Sequence, residues 1–182
     1  MKYQALLPVI ATVLVLVADS LPARAQVPDA PLREHIVRSL DEKGQVVWRD
    51  DRIPTIPDTS VCFLYIGTKQ NGDPWLRLQV RHASYKALLM SRIQFSKGDV
   101  LAVIDAPADL VQNGNNGIVA WEWYDAPPSE GDLEMIRKII AEPGVKLTVI
   151  GRERTVEREL TETERLAMGN VFQQALVIGR KQ

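Results

Sequence analysis

The sequence predicts an α+β fold: an antiparallel β-meander with two helices of the C-terminal half packed on one face, and a short helix near the N-terminus. Two observations carry this expectation. From Trp75 to Tyr124 the chain runs through strand-length segments rich in β-branched and aromatic residues, separated by Gly, Asn, Asp or Lys-Gly turns. After Tyr124 the apolar period changes from two to that of a helix, and two Ser/Thr-x-x-Asp/Glu arrangements mark helix starts.

At the N-terminus, Lys2 supplies a positive charge and Leu6 to Ala18 form an apolar run. Ala23 and Ala25 place small residues before Gln26, completing the three-part layout of a cleaved secretory signal over residues 1–25. The run is short of the roughly 20 apolar residues that a membrane span needs. No cysteine follows it, so there is no acceptor for bacterial lipid attachment. The expectation is a mature protein that is exported to the periplasm or beyond the cell, is not a lipoprotein, and has no membrane span once the signal is cut.

Residues 26–59 are read as a helix and loop joined to residues 60–182 in one globular domain. Leu32, Ile36, Val37 and Leu40 recur at helical spacing after Pro31, and Gly44 supplies a stop, so a helix is expected over 32–42. Val46-Val-Trp48 could instead draw this segment into strand structure. Pro54, Pro57 and Asp58 break the next stretch. Ser60 to Gly67 reads as the first convincing strand, followed by an Asn71-Gly-Asp-Pro74 turn. Leu76, Leu78 and Val80 then alternate with Trp75, Arg77, Gln79 and Arg81, the mark of a sheet with one buried and one wetter face. Strands over Ala87–Phe95, Val100–Ile104 and Gly117–Tyr124 follow, the last two separated by a loop over 106–117. Ser129 with Asp132 opens one helix, which Pro143-Gly144 ends. Val145 to Val149 and Thr155 to Leu160 give two more strands. Thr161 with Glu164 opens the last helix.

Composition excludes several function classes. With 22 basic and 23 acidic residues the formal net charge is −1, which offers no overall drive toward nucleic acid or an anionic membrane surface. The two histidines, His35 and His82, and the single cysteine, Cys62, show no metal-ligand spacing, and no cofactor is implied. Asn113-Gly-Asn-Asn-Gly117 with Asp109 could offer oxygens to calcium, but lacks the spacing and closing Glu of a calcium loop. Nor is there a nucleophile elbow, a phosphate-cradling glycine loop or a dinucleotide fingerprint. Cys62, set among Val61, Phe63, Leu64 and Tyr65, reads as a buried apolar residue.

Three groups of residues remain as candidates. Glu122 lies between Trp121 and Trp123 and so faces away from both indoles, toward the side of Ala120 and Tyr124. A covered carboxylate needs partners, and the ordinary answer is an ion pair with Arg77, Arg81 or Arg92. The sharper one is a general acid or base working with His82 or Tyr124. His82 falls on the side of Leu76, Leu78 and Val80, which makes it a partly buried histidine at a strand end. Trp75, Trp121 and Trp123, with Arg77 beside them, are either core or a stacking surface for a ligand.

Asp73-Pro-Trp75-Leu-Arg-Leu78, Trp121-Glu-Trp123 and Arg158-Glu-Leu160-Thr161-x-x-Glu164 resemble a family of small exported bacterial domains of unassigned function. In that family a strand opens with Trp-Leu, a later one carries Trp-Glu-Trp, and Leu-Thr-x-x-Glu precedes a helix. The resemblance covers roughly residues 60–178. It departs where a second Trp-Leu becomes Ala87-Leu88 and an Asp-Gly turn becomes Lys97-Gly98. It implies export and the fold, and no activity. The resulting expectation is a non-enzymatic exported module recognising a protein or an envelope component. The alternatives are a small hydrolase or glycan-active enzyme using Glu122, and a carrier of a small apolar ligand.

Overall fold

The structure, a computed structural model, describes residues 32–41, 44–68 and 74–179. The expected signal and leader, and the turn residues Asn71 to Asp73, lie outside the described residues. Ten strands and two helices follow in the order β1 (Ile36–Leu40), β2 (Val46–Asp50), β3 (Val61–Thr68), β4 (Pro74–Ser84), β5 (Met90–Lys97), β6 (Asp99–Asp105), β7 (Val111–Asn115), β8 (Ala120–Ala126), α1 (Glu130–Ala141), β9 (Lys146–Gly151), β10 (Thr155–Glu159) and α2 (Glu162–Gly179). The fold is α+β, with both helices in the C-terminal half.

The strands divide into two antiparallel sheets: a six-stranded one in the order β1-β2-β3-β4-β8-β7 and a four-stranded one in the order β10-β9-β5-β6. Between them lies the core. Cys62, Leu64, Ile66, Leu78, Val80, Tyr124 and Ala126 come from the inner face of the large sheet. Ile93, Phe95, Ile104, Leu147 and Val149 come from the small one, and Met135, Ile136, Ile139, Met168, Val171 and Phe172 from the helices. Both helices start as the sequence indicates. The Ser129 hydroxyl accepts the Asp132 N–H while the Asp132 carboxylate accepts the Ser129 N–H. Thr161 and Glu164 exchange the same pair of bonds.

Three local expectations are corrected. Residues 36–40, expected within a helix, form β1, paired with β2 from Ile36↔Asp50 to Leu40↔Val46. The apolar residues Leu32, Ile36 and Leu40 are even-numbered, so their spacing suits a strand as well as a helix. The tie is broken by Val46-Val-Trp48 and by a turn in which Asp41 accepts both the Gly44 and the Gln45 amides. Within the expected loop over 106–117, residues 111–115 form β7, which lies along β8 in full register. Gln-Asn-Gly-Asn has little strand preference of its own, and pairing with β8 supplies the order. Finally, β5 starts at Met90, because Leu89 sits in the left-handed region with φ +56° and breaks the strand there.

Candidate functional site

The alternation read from Trp75 to Arg81 holds, and it sorts the candidate residues onto opposite faces of the large sheet. His82 pairs with Glu122 and Val80 with Tyr124 on the inner face. Arg81 pairs with Trp123, Ala83 with Trp121 and Gln79 with Asp125 on the outer face.

On the inner face Glu122 is 3% exposed and has no arginine partner among the described residues. Its Oε2 accepts the Leu88 N–H at 2.8 Å and its Oε1 the Leu89 N–H at 2.8 Å. The arginines expected for it are engaged elsewhere: Arg77 with Asp125, Arg92 with Asp105, and Arg81 with Gln79 and the Ile56 carbonyl. The carboxylate thus holds the backbone of the connection that leads from the large sheet into β5. His82, its cross-strand neighbour, is buried, and its Nε2 has no hydrogen-bond partner among the described residues. Burial lowers the His82 pKa, the positive Arg154 acts the same way, and Glu122 opposes them. Tyr124 is buried too, and burial raises its phenol. Cys62, two strands from Glu122 on the same face, is fully buried; burial and then the Glu164 carboxylate push its thiol up, away from the thiolate a nucleophile needs. An enzymatic role for Glu122 called for an open pocket with a second titratable group in reach. Glu122, His82 and Tyr124 do share one face, but it is the packed one.

The outer face is different. Trp75, Arg77, Trp121 and Trp123, which sequence reasoning grouped as binding candidates, all lie on it, half-buried on β4 and β8. The Trp75 and Trp121 indoles lie over the backbone of neighbouring strands at Gly67 and Gly114. A Cβ at either glycine would stand 2.8 Å from the indole Nε1. Glycine is therefore what lets the rings lie flat on the sheet. The Arg77 guanidinium stacks on Trp75, 4.3 Å from the ring centre.

Asp125 ties this face together, and sequence reasoning missed it by ending the strand at Tyr124. It accepts from Arg77 Nε at 2.7 Å, Tyr65 Oη at 2.7 Å and Gln79 Nε2 at 3.2 Å. Gln79 passes the network on through its Oε1, which accepts from Arg81 Nη2 at 2.9 Å. Continuing the 121, 123, 125 alternation by one more residue would have found it. Burial, followed by the Asp125 charge, raises the Tyr65 pKa, so that side chain is a permanent donor here. The result is a part-buried polar network that fixes Tyr65 and Arg77, and through Arg77 the Trp75 indole, beside the half-buried Trp121 and Trp123.

Among the described residues no cluster of three or more His, Cys, Asp or Glu could hold a metal ion. No helix among them is long and apolar enough to cross a membrane. No family model, curated protein or solved structure matches this chain.

Proposed function

We propose that this protein is an exported, non-enzymatic recognition module that docks a protein or an envelope component on the outer face of its six-stranded sheet. The observation that carries this reading is the alignment of Trp75, Arg77, Trp121 and Trp123, all half-buried, on one face, with Asp125 holding Arg77 and Arg77 stacked on Trp75. Aromatic residues fixed in orientation before contact give up little conformational freedom on binding, which is what an efficient docking surface needs. Export is supported by the three-part layout of residues 1–25 and by the resemblance to small exported bacterial domains. The burial of Glu122 and its bonds to the Leu88 and Leu89 amides support recognition over hydrolysis, because a carboxylate that is 3% exposed is closed to a substrate.

The test is retention on immobilised envelope fractions of the exporting cell. Wild-type protein is expected to be retained. A Trp121→Ala, Trp123→Ala double variant should lose about tenfold or more in affinity, as a single hot-spot aromatic carries ~2 kcal/mol or more. A variant that binds as well as wild type would refute the outer face as the docking surface.

A further inference from the structure

At one end of the large sheet three connections meet. Ser84 pairs with Ala120, so Tyr85 leaves β4 beside the β7–β8 turn that carries Ile118. The segment 85–89 is fastened to the β9–β10 turn by Arg154 Nη2, which donates to the Ser84 hydroxyl at 2.8 Å, and by the Arg152 N–H, which donates to the Leu88 carbonyl at 3.2 Å. From this end three large apolar side chains project into solvent: Tyr85 is 85% exposed, Ile118 71% and Leu89 52%. The charged residues of the three connections are Lys86, Arg152, Glu153 and Arg154; Lys86 and Glu153 pair at 3.2 Å, which leaves Arg152 and Arg154 as the excess positive charge. Arg92 and Asp105, next along the small sheet, cancel each other in an ion pair at 2.9 Å. This end is therefore basic on a chain whose overall charge is −1.

Leu89 adds a separate argument. Its φ of +56° is a region that glycine or asparagine enters easily and a branched apolar residue does not. The backbone is held there by the two bonds its N–H makes to Glu122. A leucine so placed is strained and also gains little from burial, so the folded chain alone gives no reason for it. Strain kept without a return inside the fold points to a use outside it.

We propose that this end is a peripheral docking tip for an anionic lipid surface, with Tyr85, Leu89 and Ile118 entering the interface and the exposed Arg152 facing the headgroups, supported by the positive charge of Arg154 beneath it. Separate protrusions from three connections suit a fluid surface that closes around them, whereas a protein partner would need a matching pocket for each. Basic residues beside an apolar tip supply the second, electrostatic signal that reversible membrane attachment requires. This inference does not depend on the outer-face reading, since the residues and the ligand class differ.

The test is co-sedimentation of the full chain with phosphatidylcholine vesicles, and with vesicles of phosphatidylcholine and phosphatidylglycerol in equal parts. Any contribution from Lys2 and the apolar run near the N-terminus is common to wild type and all variants, so the differences between them are the readout. Binding is expected to favour the anionic vesicles and to weaken with salt. It should fall about tenfold or more in Tyr85→Ser, Ile118→Ser, which removes burial of two large side chains. Arg152→Glu should remove the preference for anionic vesicles. Leu89→Gly gives the most specific pair of results: a higher denaturation midpoint because strain is relieved, together with weaker vesicle binding. Equal binding to both vesicle types, no binding to either, or undiminished binding by the Tyr85→Ser, Ile118→Ser protein with its fold intact would each overturn the proposal. Absence of lipid binding would leave the tip to an anionic protein.

Discussion

Glu122 and His82 stand directly opposite each other on neighbouring strands, yet they contribute to stability in different ways. Removing the carboxylate in Glu122→Ala leaves the Leu88 and Leu89 amides without their acceptor. Each unsatisfied buried group costs about 1–3 kcal/mol, so a loss of roughly 2–5 kcal/mol is expected in denaturant unfolding. Glu122→Gln keeps one acceptor oxygen and should lose less. For His82 the sign follows from its pKa, which lies below the ordinary value of 6.5 in the folded protein. The unfolded chain binds the proton more readily, so the contribution is fully present above pH 6.5 and is lost as pH falls through the lower folded value. The carboxylates with depressed pKa values, Asp50, Glu157 and Glu164, act only in a more acidic window, below the ordinary 3.8 of Asp50 and 4.5 of the two glutamates. Denaturation midpoints measured across the mildly acidic range should therefore fall for wild type and stay nearly flat for His82→Gln. An equal slope in both proteins would show that His82 is not the group responsible.

Among the elements, the β4–β5 connection is the joint on which the two-sheet arrangement depends. It is gripped by Glu122 on one side and by Gly151 on the other, where an added Cβ would meet the Leu88 carbonyl oxygen at only 2.0 Å. That contact is with backbone, so no flexible side chain can give way. Gly151→Ala should destabilise the fold by about 3 kcal/mol, at the upper end of overpacking effects. A midpoint unchanged from wild type would mean that the connection is looser than its geometry indicates. The capped helices and the long alternating strands were legible in the sequence because their signals are local: Ser129 with Asp132, Thr161 with Glu164, and the strict alternation after Trp75. Strands β1 and β7 were not, because each is ordered by its partner. The spacing of Leu32, Ile36 and Leu40 fits either period, and the Asn-rich β7 has almost no preference until β8 lies beside it. The candidate site was half legible. Alternation placed the tryptophans and Arg77 together, but Asp125 was lost with the strand end, and Glu122 was assigned arginine partners where it holds backbone amides.

Across the whole molecule, the two faces of the six-stranded sheet do different work. The inner face packs His82, Glu122 and Tyr124 against the helices and the second sheet. On the outer face Val61 and Phe63 are packed with Ile53 and Ala167, while β4 and β8 carry the half-buried Trp75, Trp121 and Trp123 beside the polar network centred on Asp125. Hydroxyl-radical footprinting of Trp75, Trp121 and Trp123, with and without the envelope fraction that retains the protein, reads that division directly. Protection of all three indoles on binding is the expected result. Unchanged oxidation of all three while the protein stays bound would contradict it.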